Sequence, residues 1–225
     1  PCYNGSYANV EDYTVNITLP PACLPPSSLA SADVTGTSAT INWDCVGCTG
    51  TFELDYGLAG HTAGTGTIVT GATSGYALSS LSGTTAYTVY VRQDCGGGSY
   101  SPWSTVNFTT TLDCAAAIVL TADVAVTSGS LATTGGVYNN NACGFGTPGK
   151  EALYSFTTTT AGTYILTISN VNGGFGYIDY MYKDASLGCG PTGWTCIDDN
   201  SATGTDSMTL LAGTTYYILL DAESA

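Results

Sequence analysis

The residues that could do chemistry are few, and their types favour crosslinking over catalysis. The 225-residue chain has nine cysteines but only one histidine, His61. A single Cys-x-x-Cys unit is too few for a structural zinc site, which draws four ligands from paired Cys or His units. A reducing cytosol rarely contains disulfides at this density. We therefore predict an exported protein with disulfide-bonded cysteines: Cys23, Cys45, Cys48, Cys95, Cys114, Cys143, Cys189 and Cys196.

No group of side chains forms a convincing catalytic set. A Ser-His-Asp triad would have to be built around His61 alone. Cys45 and Cys48 have redox spacing, but no helix is predicted after them, so a small disulfide that staples a loop is expected. Glu53 and Asp55 could pair as in a glycosidase. Their alternation along one strand instead predicts a solvated outward face. We predict no enzymatic activity.

The densest acidic cluster favours a hard cation. Asp198, Asp199 and Asn200 are followed by Asp206, in a stretch that we predict to be a loop. Oxygen ligands in a turn suit calcium, although the spacing is not that of an EF-hand loop. These four residues are therefore candidate calcium ligands, and no cofactor is required. The alternative is a solvated acidic loop.

Charge excludes two classes of partner. Three basic residues face seventeen acidic ones, and the net charge is -14. Nucleic acids and anionic membranes both need a cationic face, so neither is expected as a partner. No apolar run approaches the ~18 residues of a membrane span, so membrane insertion is not expected. The negative excess favours cations.

Strands are predicted almost everywhere. Phe52, Leu54 and Tyr56 alternate with polar residues, and runs of this kind recur between Gly-rich turns. No amphipathic helix is predicted. A proline-rich joint at 19–26 and a polar joint at 109–114 divide the chain. We predict an all-β fold with an orphan strand in residues 1–22 and two tandem β-sandwiches in residues 23–111 and 112–225.

Residues 23–111 carry strand and corner motifs over their whole length. The motifs are a strand with a core tryptophan (38–43), a tyrosine corner (81–87), a central strand (87–92) and a last strand (105–109). This segment resembles a fibronectin type III domain, in a version found in bacterial proteins exported by the type IX route. The resemblance implies that Cys23 accompanies Cys95. It also implies that the Tyr87 hydroxyl is buried and bonded to upstream backbone.

Residues 112–225 carry a second set of motifs, at 114–117, 152–156, 161–164 and 211–218. With these motifs the segment is similar to the pre-peptidase C-terminal-like family, which implies a jelly-roll-like β-sandwich. That family's pattern continues for another strand after Asp221, so the last strand is expected to be missing. Residues 211–218 repeat the spacing L-x-G-T-T-x-Y of residues 81–87, which indicates that the same turn chemistry is used twice.

The leader, residues 9–17, resembles the end of a GEVED domain, of which only the last strand is present. Its apolar face is formed by Tyr13, Val15, Ile17 and Leu19. A lone strand cannot satisfy its backbone, and an open sandwich edge is adhesive. We expect both ends to be completed from outside the two sandwiches. Either the chain is a piece of a longer polypeptide, or copies assemble head to tail by strand complementation into filaments.

Disulfide pairing is predicted from the even division of eight cysteines between two domains. The expected pairs are Cys23–Cys95, Cys45–Cys48, Cys114–Cys143 and Cys189–Cys196. Cys2 is left over, either free or paired upstream.

Two weaker features concern carbohydrate. Aromatic rings can stack on sugar faces, and four of them lie near the last cysteines: Tyr177, Tyr180, Tyr182 and Trp194. Their alternative role is core packing. Ser207 follows Asp206 in a short Asp-Ser/Thr-apolar pattern on which bacteria of this type attach O-glycans.

The sequence thus predicts a non-catalytic structural or adhesive segment of a large secreted or cell-surface protein of a Gram-negative bacterium. Its expected partners are other domains of the same polypeptide, identical subunits and surface glycans. The alternative is an accessory carbohydrate-binding or substrate-targeting segment of a secreted hydrolase.

Overall fold

The computed structural model describes residues 15, 23–126, 131, 135–140, 142–169, 177–200 and 203–223. Cys2 and the leader strand, apart from Val15, lie outside these ranges. Within them the fold is all-β, as predicted, with two short 3-10 helices (Cys114–Ala116 and Ala185–Leu187) and no helix suited to crossing a membrane. The strands are β1 (Ser27–Ala32), β2 (Ala39–Asp44), β3 (Thr51–Leu58), β4 (Thr67–Ala72), β5 (Tyr76–Leu78), β6 (Ala86–Asp94), β7 (Ser104–Thr109), β8 (Ile118–Leu120), β9 (Glu151–Thr157), β10 (Gly162–Ile168), β11 (Ile178–Asp184), β12 (Thr195–Asn200), β13 (Gly204–Leu210) and β14 (Thr215–Ala222).

Strands β1 to β7 form the first sandwich. One sheet has the order β1-β2-β5 and the other the order β4-β3-β6-β7. Alternate side chains of the two sheets meet between them, where Ile41 and Trp43 pack with Leu54, Val89 and Val91. Seven antiparallel strands in two layers are the architecture of fibronectin type III domains. The fold predicted for this part of the chain is confirmed.

Strands β8 to β14 form the second sandwich. A five-stranded sheet has the order β12-β11-β14-β9-β8, and β10 pairs with β13 in the facing sheet. The chain crosses between these sheets from β9 to β10 to β11 and again from β12 to β13 to β14. The inner face of the large sheet packs Tyr180 and Ile218 against Met208. On its outer face, Met181 and Leu219 pack against Leu112, Tyr138 and Trp194. These residues lie in segments that cover the sheet: the chain before β8, the segment between β8 and β9, and the segment between β11 and β12.

The tyrosine corner is confirmed in the first sandwich. Tyr87 is buried, and its hydroxyl accepts a hydrogen bond of 2.9 Å from the backbone N–H of Ser82. Buried Thr110 closes the same corner, since its hydroxyl donates to the carbonyl oxygens of Ser82 and Thr85. The corner thus satisfies backbone groups that the two sheets leave unpaired.

The second sandwich repeats the corner, but one residue earlier than the spacing predicts. Tyr216, not Tyr217, accepts a hydrogen bond of 3.0 Å, which the backbone N–H of Leu211 donates. Thr158 takes the place of Thr110 and donates to the carbonyls of Leu211 and Thr214. The motif moves because Gly213 takes the left-handed backbone position, at φ 65°, that Thr84 takes in the first corner at φ 50°.

The described residues form four disulfides, and two of the four predicted pairings are wrong. Cys23–Cys95 and Cys45–Cys48 are as predicted. The other bonds are Cys114–Cys189 and Cys143–Cys196, not Cys114–Cys143 and Cys189–Cys196. An even count cannot choose among the three connectivities open to four cysteines. Cys189 lies in the loop beyond β11, where it meets the chain entering the second sandwich, whereas Cys196 lies within β12 beside the segment that carries Cys143.

A β-bulge in β12 sets the direction of its side chains. Tyr180 pairs with Asp198 but Met181 pairs with Cys196, so Ile197 is the extra residue. Side chains alternate along a strand, so Cys196 and Asp199 would point to opposite faces of a regular strand. The bulge places them on the same outer face, because one extra residue reverses the alternation.

The expectation that Glu53 and Asp55 form a solvated face is wrong, because both side chains are buried. Arg92 donates to Glu53 through Nε at 2.9 Å and Nη2 at 2.6 Å. Asp55 accepts a hydrogen bond of 2.6 Å from the backbone N–H of Gly64 and faces His61. Glu53 and Asp55 therefore each have a partner that sequence alternation does not reveal.

The two corners give a stability prediction. We expect Tyr87→Phe and Tyr216→Phe each to lower the free energy of unfolding by about 0.5–1.5 kcal/mol, because each removes one buried hydrogen bond. Chemical denaturation of the full chain measures the loss. Tyr177→Phe is the control, because this ring is 47% exposed. Equal effects of all three substitutions would show that the corner hydrogen bonds are not stabilising.

Candidate metal centre

A row of four carboxylates crosses the outer face of the large sheet. Asp179 on β11 lies directly opposite Asp199 on β12 and Asp221 on β14, and Asp221 lies opposite Glu151 on β9. Directly opposed side chains in a sheet have Cβ atoms about 4.5–5.5 Å apart. Acidic side chains that are neighbours in this way repel one another unless protons, donors or cations intervene.

The segment between β8 and β9 supplies donors to one end of this row. Glu151 Oε1 accepts hydrogen bonds from the backbone N–H groups of Val137 at 2.7 Å and Tyr138 at 2.6 Å. Asp221 Oδ2 accepts one of 2.8 Å from the Thr147 hydroxyl. Glu151 and Asp221 therefore hold the covering segment on the sheet.

The other end of the row lacks such partners. Asp179 is fully buried, and neither of its carboxylate oxygens has a hydrogen-bond partner of good geometry. Asp199 Oδ1 and Glu223 Oε1 are also buried oxygens without a hydrogen-bond partner. One ligand oxygen from each of these three residues lies within 4.8 Å of the others. The acidic triad Asp179, Asp199 and Glu223 is the candidate site.

Burial dominates the electrostatics of the row. It raises the pKa of Asp179 to about 7, with the charges of Asp199 and Glu223 adding to the effect and the Cys143 amide opposing it. Burial also raises the pKa of Asp221 to about 8, opposed by the Thr147 hydrogen bond and reinforced by Glu151 and Asp179. Ionising the row therefore costs free energy when no cation is present.

No basic side chain neutralises the acidic triad. The chain has only three lysines and arginines, and the structure describes all of them. Arg92 pairs with Glu53 in the first sandwich. The Lys183 ammonium donates to the carbonyls of Gly190 and Thr192 and lies over the Trp194 ring. Burial raises the pKa of Glu151, at the far end of the row, and the charge of Lys150 opposes this rise.

The four residues predicted to bind calcium lie in two strands, not in a loop. Asp198, Asp199 and Asn200 lie in β12, and Asp206 lies in β13 of the facing sheet. Asp199 joins the acidic triad on the outer face. On the inner face, Asn200 Nδ2 donates to Asp198 at 3.2 Å, and the charge of Asp198 adds to the effect of burial in raising the pKa of Asp206. The predicted set is therefore not one site, because alternation along a strand separates Asp198 from Asp199.

The predicted aromatic platform for sugar is wrong for two of its four residues. Tyr180 is 1% exposed and Trp194 is 8% exposed, so both are core residues. The Trp194 indole donates to the Gly190 carbonyl, and Lys183 covers its face. Tyr182 packs against Tyr216, whereas Tyr177 is exposed. Ser207 is exposed on β13, and its glycosylation stays a prediction.

His61 lies in a structural environment. Its Nε2 is 3.3 Å from Asp55 Oδ2 and its Nδ1 is 3.1 Å from the Leu58 carbonyl oxygen. Its ring packs on Tyr90, whose hydroxyl donates to the His61 carbonyl. Both ring nitrogens face acceptor oxygens, so neither is placed to take a proton from a nucleophile.

Sequence reasoning found Asp199 but missed Asp179, Asp221, Glu151 and Glu223. A signal was present, since Asp179 stands between Ile178 and Tyr180 and Asp221 follows a run of apolar residues. A carboxylate within an apolar strand is costly to bury without a partner. Such acids are better candidates for a site than a dense acidic run.

Comparison with known proteins gives similarity to solved structures only. No family model and no curated protein matches the chain. A two-domain fibronectin type III segment of chicken tenascin is similar over 89% of this chain and 92% of its own, at 13% identity and a TM-score of 0.35. A redesigned β-sandwich protein is similar over 39% of this chain and 94% of its own, at 22% identity and a TM-score of 0.35. Likenesses this distant carry no conclusion about function.

The raised pKa of Asp221 predicts a pH dependence. Its pKa is above the ordinary 3.8, at about 8, so the folded chain binds this proton more tightly than the unfolded chain. The free energy of unfolding in chelator should therefore fall as pH rises from about 4 to about 8. Asp221→Asn should reduce this fall, because the amide does not titrate and still accepts from Thr147.

Urea unfolding across this pH range measures the slope for each protein. Asp44→Asn is the control, because it removes the same charge from an exposed position. An Asp221→Asn slope equal to that of the unaltered chain would contradict the prediction.

Proposed function

We propose that this chain is a non-catalytic structural segment of a secreted or cell-surface protein, in which two sandwiches are held as a stiff spacer. The observation that carries the proposal is the joint between them. Domains connected by a flexible linker move relative to one another by default, so a spacer that keeps its shape needs a joint built into both domains.

The joint belongs to both sandwiches at once. The backbone N–H of Thr111 donates to the Thr35 carbonyl at 3.1 Å, and the N–H of Thr84 donates to the Thr111 carbonyl at 3.0 Å. The next side chain, Leu112, is buried in the outer core of the second sandwich. Cys114 then bonds to Cys189. Within four residues the chain is fixed first to one sandwich and then to the other.

Gly36 shows how closely the first sandwich approaches the backbone that connects it to the second. A Cβ atom on Gly36 would collide with the carbonyl oxygen of Leu112 and with the backbone of Asp113. A Cβ on Gly83 would also press on Asp113, at 3.1 Å from its nitrogen. The first sandwich therefore presents two glycines to the connecting backbone. Contacts of this kind leave the joint little room to bend.

The lack of catalysis is supported by the state of the candidate groups. Both ring nitrogens of His61 face acceptors, and Cys45 and Cys48 are bonded to each other. Glu53 is paired with Arg92. Among the described residues, each group considered as a base, acid or nucleophile has a structural partner.

Four disulfides support an extracellular location. The finer assignment rests on the motifs alone. We assign the parent protein to the type IX-exported proteins of Gram-negative bacteria, with a GEVED-like leader and a pre-peptidase C-terminal-like second sandwich. Its partners would be neighbouring domains of the same polypeptide or identical subunits. In an adhesive role it would also bind surface glycans.

An accessory carbohydrate-binding role is less well supported. Its platform loses Tyr180 and Trp194 to the core, and only Tyr177 of the four aromatic residues is exposed. A structural role needs no such platform. The spacer is therefore the function that the geometry supports best.

The joint can be tested directly. We expect Gly36→Ala to uncouple the two sandwiches, because the added methyl group collides with joint backbone and not with a flexible side chain. ¹⁵N relaxation of the full chain should show one tumbling time before the change and two after it. Gly162→Ala is the matched control, since its Cβ would meet nothing within 4 Å. Independent tumbling in the unaltered chain would overturn the spacer proposal.

Head-to-tail assembly is a separate expectation. Val15, the one described residue of the leader, is 79% exposed. In the described part of the second sandwich, the small sheet has only β10 and β13, so both of its edges are open. If the leader of one copy pairs there with the next copy, sedimentation velocity should show concentration-dependent oligomers. Ile17→Asp should abolish them by placing a charge on the apolar face of the leader. Monomers at all concentrations would remove assembly but leave the spacer proposal intact.

A further inference from the structure

Three carboxylates with buried oxygens that lack a hydrogen-bond partner converge at one end of the carboxylate row. They belong to Asp179, Asp199 and Glu223, which come from β11, β12 and the residue just after β14. The register explains the convergence. Asp199 is directly opposite Asp179, and the N–H of Glu223 donates to the Tyr177 carbonyl, which places Glu223 beside Asp179 on the same face.

We propose that Asp179, Asp199 and Glu223 bind one calcium ion on the outer face of the second sandwich. Two oxygens that share a calcium ion at about 2.4 Å can be at most about 4.8 Å apart. The three ligand oxygens meet this limit, since all lie within 4.8 Å of one another. Their separation is therefore compatible with one shared ion.

Burial separates this triad from an ordinary acidic surface. Asp179 is 0% exposed, and both of its oxygens lack a hydrogen-bond partner of good geometry. Polar atoms buried to this extent are nearly always hydrogen-bonded or bound to an ion, so a carboxylate without a protein donor is suited to take a cation as its partner. Asp199 and Glu223 are half-buried, so the ion would enter from their side.

Charge also favours a cation over a donor from the protein. Three carboxylates share the site. Arg92 and Lys183 are bonded elsewhere, and the charge of Lys150 acts on Glu151 at the far end of the row. The chemistry of the ligand atoms selects the ion. All three are hard oxygens without nitrogen or sulfur, which suits calcium and disfavours zinc or copper.

Calcium would crosslink elements that the sheet joins by backbone hydrogen bonds and side-chain packing. The ion would connect the edge strand β12 with β11 and with the chain leaving β14. On the same face, the Cys143–Cys196 bond fastens the covering segment to β12. The expected role is therefore to stabilise the second sandwich.

Calorimetric titration of calcium chloride into the chelator-treated 225-residue chain tests the site. We expect one ion per chain, with a dissociation constant in the range of about 10⁻⁴–10⁻³ M that is typical of extracellular calcium sites. Asp179→Asn and Asp199→Asn should each weaken binding at least tenfold. Asp206→Asn, which changes a residue of β13 in the facing sheet, should leave the affinity unchanged within twofold.

Thermal unfolding with and without calcium separates lost binding from lost folding. Asp179→Asn removes a buried charge, so we expect it to fold without calcium and to lose only the rise in Tm that calcium gives the unaltered chain. Absence of binding at millimolar calcium would overturn the proposal. So would loss of binding in Asp206→Asn with retention in Asp199→Asn, or equal affinity for magnesium.

Discussion

The second sandwich buries carboxylates that form no ion pair with a lysine or arginine side chain. With three basic residues against seventeen acidic ones, most acids must remain in water or find another partner. The first sandwich meets this constraint internally. Glu53 pairs with Arg92, whose guanidinium lies between the rings of Tyr100 at 3.7 Å and Trp103 at 4.2 Å. In the second sandwich, backbone and hydroxyl groups donate hydrogen bonds to the carboxylates at one end of the row. The buried carboxylate oxygens of the acidic triad, at the other end, lack such donors.

This arrangement depends on the details of β11 and β12. The register places Asp179 opposite Asp199, and the bulge at Ile197 turns Asp199 and Cys196 to the same face. The disulfide from Cys196 to Cys143 then fastens the covering segment beside the open end of the row. The carboxylate row, the bulge at Ile197 and the Cys143–Cys196 disulfide thus lie close together on the second sandwich. A substitution in one of them would alter the surroundings of the other two.

Much of the fold follows from the sequence, because alternation and turn motifs are local signals. The strands around Leu54 and Val89 and the corner at Tyr87 are where the pattern places them. Predictions that depend on distant partners were less successful. The alternation of apolar and polar residues along β3 predicts an exposed Glu53, because it does not reveal Arg92 in the neighbouring strand. The number of cysteines does not reveal that Cys114 pairs with Cys189. The acidic run at Asp198 and Asp199 predicts a loop, because a bulged strand leaves no simple pattern in the sequence.

A crystal structure of the full chain with calcium would test the metal centre most directly, through the anomalous scattering of calcium at long wavelength. The account predicts one anomalous peak on the outer face, at about 2.3–2.6 Å from oxygens of Asp179, Asp199 and Glu223. No peak there, with the three carboxylates instead sharing protons, would contradict it. A peak between Asp198 and Asp206 would contradict it as well, because it would place the ion on the inner face.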